Sequence, residues 1–333
     1  MNPFTFKQAA NVDAALPLLA TEGARPVAGG TNLLDLMKAG VMAPPQLVDI
    51  NPLEQAGLDI IEEHEGGLRL GALARNATTA YHDTVRSRYP LLSAAILAGA
   101  SPQLRNMASN GGNLLQRTRC YYFYDVGTPC NKREPNTGCA AREGINRQHA
   151  ILGTSEHCIA THPSDMCVAL AALEATVHVE SARGKRDIPF AEFHRLPGEA
   201  PQYDTVLEAD ELITAITLPD ASRYAAHSAY LKLRERLSYA FALVSVAVGL
   251  EMDGDTIRAA GVALGGVAHK PWRDREAEAL LVGKPASEEQ FQAFADAVLR
   301  DAQPLEHNAF KINLARRTIV RALQRAVAME SAE

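Results

Sequence analysis

The sequence of 333 residues has few cysteines, no long apolar run and no excess of basic residues. Five cysteines are too few for a disulfide scaffold. The best apolar stretches, 89–104 and 237–250, fall short of the roughly 20 residues that a spanning helix needs, so no membrane span is expected. A net charge of −6 disfavours a nucleic-acid surface. We therefore expect a folded protein that binds small molecules or protein partners.

The length and the hydrophobic pattern predict at least two domains of mixed helix and strand. At roughly 150 residues per domain, the chain contains about two units. The stretch 219–228 is polar and favours a domain boundary. The patterns predict strands at 26–28, 46–50, 68–73, 176–180, 212–218 and 229–233, helices at 12–20, 33–38, 79–98, 163–173, 288–300 and 308–329, and a hairpin formed by 242–252 and 256–264. The first strands resemble a βαβ unit, for which parallel pairing is expected.

Periodicity disappears between residues 110 and 153, where Gly, Pro, Asn, Arg and Cys are abundant. A structureless stretch of this length is uncommon in a compact domain, and it is usually functional or held by bonds other than core packing. The stretch and its flank contain four of the five cysteines: Cys120, Cys130, Cys139 and Cys158. An iron–sulfur cluster would fix such a loop. Their wide spacing does not name a metal, so two disulfides, a zinc site and unrelated thiols stay open.

Four basic side chains near these cysteines could offset the charge of an anionic cluster: Arg117, Arg119, Lys132 and Arg133. The fifth cysteine, Cys167, lies in an apolar helical pattern and is interpreted as a buried structural thiol.

Two glycine pairs are candidate anion-binding loops. Gly29 and Gly30 stand between a predicted strand and a predicted helix, where backbone N–H groups can approach a phosphate. The second pair lies in the stretch 109–113, flanked by serine and asparagine. Neither matches a Rossmann or Walker pattern, so ordinary tight turns are the alternative. Together, the two loops could hold two parts of one dinucleotide.

Three further side chains are candidate cofactor contacts. Asp165 could accept hydrogen bonds from ribose hydroxyls, although an early-helix carboxylate is also common for structural reasons. His162 could contact a cofactor edge. Lys232 lies on a predicted strand, where it could be solvated or could place a charge near a flavin ring. We find no pair of acid and base for substrate chemistry and predict no catalytic residue in this chain.

Three motifs occur in order: Ala-Gly-Gly-Thr-Asn-Leu-Leu-Asp-Leu at 28–36, Ser-Asn-Gly-Gly-Asn at 109–113 and Thr-His-Pro-Ser-Asp at 161–165. The chain thereby resembles, over essentially its whole length, the FAD-binding subunits of the molybdenum hydroxylase (xanthine oxidase) family. The stretch 113–120, which reaches the first clustered cysteine, resembles the flavoprotein subunits of bacterial periplasmic aldehyde oxidoreductases. It resembles the corresponding subunits of 4-hydroxybenzoyl-CoA reductases more distantly.

The resemblance implies an α+β fold. An FAD-binding domain of two subdomains (PCMH-like) would span 1–220, with a cysteine-rich insertion at about 114–160. A smaller domain with an antiparallel sheet and a helical bundle would span 221–333. The resemblance implies a [4Fe–4S] cluster on Cys120, Cys130, Cys139 and Cys158. It also implies FAD contacts from Arg25, Pro26, Val27, Ala28, Gly29, Gly30, Thr31, Asn32, Leu33, Asp35, Ser109, Gly111, Gly112, Asn113, His162, Asp165 and Lys232.

The resemblance also implies a function in electron transfer. A partner subunit with a molybdenum cofactor would oxidise an aldehyde, a small [2Fe–2S] subunit would relay electrons to FAD, and FAD would reduce an external acceptor. The first residues do not read as a signal peptide. The chain would then either stay in the cytoplasm or leave already folded with a signal-bearing partner, and the resemblance to the periplasmic aldehyde oxidoreductases implies the latter. The alternatives are a reductive aromatic-thioester complex and a non-redox, disulfide-stabilised binding module.

Overall fold

Three separate sheets organise the chain, which a computed structural model describes over residues 1–329. The strands are β1 Thr5–Gln8, β2 Arg25–Val27, β3 Gln46–Asp49, β4 Ile61–His64, β5 Gly67–Gly71, β6 Thr176–Ser181, β7 Gly184–Pro189, β8 Leu212–Leu218, β9 Ser228–Leu233, β10 Val244–Asp253 and β11 Thr256–Gly265. The helices are α1 Val12–Leu19, α2 Leu33–Lys38, α3 Asn76–Tyr81, α4 Asp83–Arg88, α5 Pro90–Ala98, α6 Pro102–Met107, α7 Asn110–Leu114, α8 Tyr121–Tyr124, α9 Asp165–Ala172, α10 Phe190–Phe193, α11 Arg275–Glu278, α12 Glu288–Val298 and α13 Phe310–Ala328. In this part of the chain, no helix combines the length and the apolar character needed to cross a bilayer.

The first sheet has the order β1-β3-β2 and is parallel, as the βαβ pattern predicts. Helix α1 begins after Asn11, whose side chain accepts a hydrogen bond from the Ala14 N–H at 2.8 Å. That contact satisfies one of the N–H groups left free at a helix start. Helix α2 follows β2 after a five-residue loop that contains the first glycine pair. The loop is therefore placed at the carboxyl end of a strand in a parallel sheet.

The second sheet is antiparallel, with the order β4-β5-β8-β6-β7. Its outer strands β4 and β7 are absent from the sequence-based prediction. Both are short, and most of their side chains are exposed. Charged residues such as Glu62, Glu63 and Lys185 protect a sheet edge from pairing with other chains, and they also remove the apolar alternation that reveals a strand. Helices α3, α5 and α9 join this sheet in one large core.

Helix α9 is buried along all eight of its residues, including Cys167, because it lies between two layers. It shares the core of the five-stranded sheet, and it packs against β10 and β11 on its other side. A Cβ on Gly261 would meet the Ala172 carbonyl oxygen at 2.4 Å, so glycine permits this close packing. The predicted start at 163 was wrong: the helix begins at Asp165, and Ser164 caps it by accepting the Cys167 N–H at 3.1 Å.

The third sheet, β9-β10-β11, is antiparallel, and β10 and β11 form the predicted hairpin. Val244, Val246, Val248 and Leu250 alternate along β10 and face a core shared with α12 and α13. The predicted helix at 308–329 is confirmed with slightly different ends. The predicted domain 221–333 extends past residue 329, so its last four residues lie outside the described part of the chain.

The aperiodic stretch forms only two short helices, α7 and α8, and is otherwise irregular up to residue 153. Core packing was not expected to hold this stretch, but one of its residues does join an apolar cluster. Phe123 is fully buried against Leu36 of α2. From the C-terminal side, Lys311 donates to the His149 carbonyl at 2.8 Å and Asn308 to the Ala150 carbonyl at 3.1 Å. These contacts hold the segment against α2 on one side and against α13 and the turn before it on the other.

Candidate functional site

A cavity of about 790 Å³ lies between the loop before α2, helices α5 to α7, and strand β9 with the connection that follows it. Its volume falls in the upper part of the range of roughly 300–1,000 Å³ typical of small-molecule sites. The glycine loop before α2 forms one wall, and Gly112 and Asn113 of α7 form part of another. Strand β9 and the connection from β9 to β10 contribute Lys232 and the segment 235–243. The cavity therefore joins parts of the chain that are more than 200 residues apart.

The first glycine loop offers a row of unused backbone donors. Within the described residues, the N–H groups of Gly29, Gly30, Thr31 and Asn32 donate no hydrogen bond to the protein. All four residues line the cavity. Gly30 has φ +70°, which favours glycine. Consecutive free N–H groups in such a turn form an anion-binding concavity, so this loop fits the diphosphate of a dinucleotide.

The first glycine loop packs against the end of α6, two residues before the second glycine stretch begins. A Cβ on Gly29 would lie 1.9 Å from the Met107 carbonyl oxygen, so only glycine permits this approach. Arg75 holds that carbonyl by donating to it at 2.9 Å. In α7, Ser109 accepts the Gly112 N–H at 3.2 Å, which fixes the second glycine turn. Residues of both turns, Gly29 and Gly30 from the first and Gly112 from the second, line the same cavity.

Asn113 and its neighbours form a buried amide network beside the cavity. The Asn113 side chain donates to Asn76 Oδ1 at 2.6 Å and accepts the Ser164 hydroxyl at 2.5 Å. Asn76 also donates to Asn110 Oδ1 at 3.0 Å. Because these amides satisfy one another, the wall is rigid before any ligand arrives.

Asp165 and Lys232 form a buried ion pair at the cavity wall. Lys232 Nζ lies 2.7 Å from Asp165 Oδ2, with the side chains 5% and 8% exposed. Tyr230 donates to the other carboxylate oxygen at 2.6 Å, and Lys232 also donates to the Ala98 carbonyl at 3.1 Å. Burial, with the nearby Asp165 carboxylate, raises the pKa of Tyr230 well above its usual value. Both carboxylate oxygens thus already accept a donor, and any ribose hydroxyl would add a third.

The predicted FAD contacts divide into two groups. Nine line the large cavity: Gly29, Gly30, Thr31, Asn32, Asp35, Gly112, Asn113, Asp165 and Lys232. The other eight do not line it: Arg25, Pro26, Val27, Ala28, Leu33, Ser109, Gly111 and His162. His162 is buried against the ring of His194, with 4.4 Å between ring centroids. Sequence patterns mark the two turns but cannot separate residues that face the cavity from those behind it.

The four clustered cysteines converge on one small cavity. Cys130 and Cys139 pair across a tight antiparallel bridge, and Cys120 and Cys158 close the other sides. All four are free thiols, so no disulfide forms among them in the described residues. A tetrahedral zinc site needs sulfur atoms about 3.8 Å apart, given Zn–S bonds of about 2.3 Å. Within residues 1–329, no three of these sulfurs lie within 4.8 Å of one another.

Burial disfavours the thiolate form of three of these cysteines. It raises the pKa of Cys120 to about 12 and that of Cys158 to about 11, and it also raises the pKa of Cys139. His149 Nε2 lies 3.1 Å from Cys120 Sγ, and burial lowers the pKa of this histidine to about 4. Since metals bind thiolates, insertion of a metal centre must release these protons.

The basic residues near the cysteines are used differently from the prediction. Asp204 accepts Lys132 at 2.5 Å and Arg117 at 2.7 Å, and these two cations hold the pKa of its buried carboxyl below the usual value. Arg133 donates to backbone carbonyl groups of the segment, including that of Tyr122 at 2.8 Å. Arg119 turns towards the large cavity. Asp204 was missed because it lies 46 residues beyond Cys158, in a stretch with no recognisable motif.

A narrow cavity beside the large one reaches Cys120, the first of the four cysteines. Cys120, His149 and His162 line it. Arg119 and Phe241 line both the narrow and the large cavity. The segment 235–243, which includes Phe241, was another omission of the sequence analysis; its exposed aromatic residues between two strands were the available signal. The thiols and the large cavity are thus neighbours in the fold.

Comparison with known proteins shows the family of the chain. Residues 2–221 match the family model described as the FAD binding domain in molybdopterin dehydrogenase. The chain belongs to this family. Residues 228–326 of this flavoprotein subunit match the CO dehydrogenase flavoprotein C-terminal domain. Membership confirms the predicted family, the α+β fold and the assignment to the oxidoreductase subunits, and it supports FAD as the ligand.

Several relatives of the flavoprotein subunit match it along nearly the whole chain. It is 50% identical over 329 residues to the aldehyde oxidoreductase FAD-binding subunit PaoB of Escherichia coli (strain K12), covering 98% of this chain and 99% of that one. It is 28% identical over 302 residues to the glyceraldehyde dehydrogenase medium chain of Sulfolobus acidocaldarius, covering 90% and 89%. A chain in the structure of carbon monoxide dehydrogenase from Hydrogenophaga pseudoflava matches with a TM-score of 0.76 and 28% identity, covering 99% and 100%.

Proposed function

We propose that this chain is the FAD-binding electron-transfer subunit of a heterotrimeric, molybdenum-dependent aldehyde oxidoreductase. The observation that carries the proposal is the large cavity, lined by four free backbone donors and adjacent to four convergent thiols. The relative at 50% identity is named for aldehyde oxidation, and this favours oxidation over the reductive alternative. We also propose the division into domains 1–220 and 221–333, which the two family matches support by ending at residue 221 and beginning at residue 228.

The chain's own residues would bind and orient the flavin nucleotide. The N–H groups of Gly29 to Asn32 would hold the diphosphate, with Gly112 and Asn113 at the facing turn. The buried Asp165–Lys232 pair would present a fixed charge distribution to the cofactor. The eight predicted residues outside the cavity would act by shaping these walls. When bound, FAD supplies the ability to accept electrons singly and to release them in pairs.

We further propose that Cys120, Cys130, Cys139 and Cys158 ligate a [4Fe–4S] cluster. Four free thiols that line one cavity support this ligand set. Lys132 lies close enough to favour the thiolate form of Cys158. The thiols would be held in a segment that packs on α2 and on the C-terminal domain, beside the narrow cavity that borders the large one.

Two partners and one compartment complete the proposal. A subunit with a molybdenum cofactor would oxidise the aldehyde, and a small [2Fe–2S] subunit would pass electrons to this chain for an external acceptor. The medium-chain relatives support this arrangement, since a medium chain implies further subunits. The complex would reach the periplasm already folded, with a partner that carries the export signal, because cofactors that bind a folded site must be inserted before export.

Cofactor analysis of the purified full complex tests the function. We expect FAD and both iron and acid-labile sulfide on this chain, measured after the subunits are separated under anaerobic conditions. The Cys139→Ser variant should lose iron and sulfide, since serine replaces one of four ligands. The matched control is Cys167→Ala, which removes a buried thiol outside the proposed ligand set and should keep the iron content. FAD without iron in the wild-type chain would refute the cluster, and absence of FAD would refute the function as a whole.

A further inference from the structure

Arg119 links the cysteine segment to the glycine loop. It directly precedes Cys120, yet its guanidinium points away from the thiols. Nη1 donates to the Tyr124 hydroxyl at 2.6 Å and to Asp35 Oδ2 at 3.2 Å, and Nη2 donates to Asn32 Oδ1 at 3.2 Å. Tyr124 also donates to Asp35 at 3.1 Å. The residue thus holds both the last loop position and the first turn of α2.

The Nε donor of this guanidinium is unused. Arg119 Nε is buried and has no hydrogen-bond partner in residues 1–329. A buried donor of a charged group without a partner is costly, and a native structure usually supplies one. The side chain lines the large cavity, and its Nη2 holds a residue of the loop with free N–H groups. A cation with a spare N–H, beside four free amides, matches an anionic diphosphate.

The same short segment carries a thiol and this arginine. Residues 115–119 have no regular structure, and α8 begins directly after Cys120. Helix α8 contributes Tyr124 to the contact with Asp35 and Phe123 to the apolar contact with Leu36. The position of the guanidinium therefore depends on its sequence neighbour Cys120 and on the packing of α8 on α2.

We propose that Arg119 binds the diphosphate of FAD and makes FAD binding and cluster binding mutually dependent. This inference rests on the function proposed above. A cluster on Cys120 would hold the segment and hence the guanidinium in place, and loss of the cluster would release both. By linkage, FAD would stabilise the cluster by the same factor.

A double-mutant cycle on the full chain tests this dependence. FAD is removed, and its rebinding is followed by quenching of flavin fluorescence in four proteins: wild type, Arg119→Gln, Cys158→Ser and the double variant. Arg119→Gln should weaken FAD binding by roughly 10- to 100-fold, because it removes a charge-assisted hydrogen bond. Cys158→Ser, whose site does not line the FAD cavity, should weaken it about 5-fold or more through the coupling. In the Arg119→Gln background, Cys158→Ser should raise the Kd for FAD by less than about 2-fold.

Controls separate this inference from folding defects and from the proposed function. Arg142→Gln removes a guanidinium of the same segment that contacts Ser155 and Glu156, and it should bind FAD like wild type. Arg119→Lys keeps the charge without the planar fork of the guanidinium. Its affinity for FAD should lie between those of wild type and Arg119→Gln. If Cys158→Ser raises the Kd for FAD by the same factor with and without Arg119, FAD binding and cluster binding are not coupled through this residue. If Arg119→Gln binds FAD as tightly as wild type, Arg119 does not contact the diphosphate. A wild-type chain without iron would instead refute the proposed cluster, while the Arg119→Gln affinity would still decide the contact.

Discussion

Replacing Gly29 with alanine should abolish tight FAD binding at a modest cost in stability. The new Cβ would lie 1.9 Å from the Met107 carbonyl oxygen and 2.6 Å from its carbon. Non-bonded carbon and oxygen atoms approach to about 3.3 Å, so the loop must move by about 1.4 Å. The carbonyl itself cannot retreat easily, because Arg75 donates to it. The glycine loop therefore moves rather than α6.

That displacement is large compared with the tolerance of a hydrogen bond. An N–H···O contact of about 2.9 Å that lengthens by this amount passes the limit of about 3.5 Å beyond which no hydrogen bond remains. Hydrogen bonds to a charged group are worth about 1.5–3 kcal/mol each. Loss of two would raise the Kd for FAD by roughly 10²- to 10⁴-fold. The loss of stability should stay near 1–3 kcal/mol, the usual cost of overpacking.

Titration of the FAD-free chain with FAD measures the change in Kd, and thermal unfolding measures the loss of stability. Gly40→Ala is the matched control: its φ is +74° and nothing lies within 4 Å of the new Cβ. It should cost about 1–2 kcal/mol through backbone strain and leave FAD affinity unchanged. If Gly29→Ala binds FAD as tightly as Gly40→Ala, the glycine loop is not the diphosphate site.

Two further predictions concern the buried charges. Lys232→Met should destabilise the protein by about 3–5 kcal/mol, because it leaves the Asp165 carboxylate buried with only Tyr230 as a donor; the double variant with Asp165→Asn should recover most of this loss in urea unfolding, and a further loss would contradict the pairing. Asp204 has a folded-state pKa below its unfolded value, so its contribution to stability is present above about pH 4 and disappears as pH falls through the folded value. The free energy of unfolding of wild type should therefore fall from pH 5 towards pH 2 more steeply than that of Asp204→Asn, and parallel curves would refute the role of Lys132 and Arg117 in stabilising this carboxylate.

Local patterns were sufficient for much of the fold. Alternating valines reveal β10, Asp253-Gly254-Asp255 marks its turn, and the glycine pair after β2 indicates an anion-binding loop. Each of these signals depends only on residues that are close in sequence, and the structure contains the strand, the turn and the loop that they predict. The charged edge strands were missed because solvent-facing residues such as Glu62 and Lys185 remove the apolar alternation.

The arrangement of the site depends on long-range packing that no local pattern contains. Asp204 neutralises two cations that the sequence associated with the cysteines. Arg119 appeared to belong to the thiols from its position next to Cys120, but its side chain contacts Asn32 and Asp35, more than 80 residues earlier. The predicted contacts that face the cavity are likewise determined by how the loop before α2, helices α5 to α7 and strand β9 pack together.

Locating iron in the folded complex tests the central claim most directly. X-ray diffraction at the iron absorption edge would show whether this chain holds iron beside its flavin. We predict one compact anomalous peak among the sulfurs of Cys120, Cys130, Cys139 and Cys158, with flavin density in the adjacent large cavity. Flavin density without an iron peak at these thiols, or thiols joined in disulfides, would contradict the account.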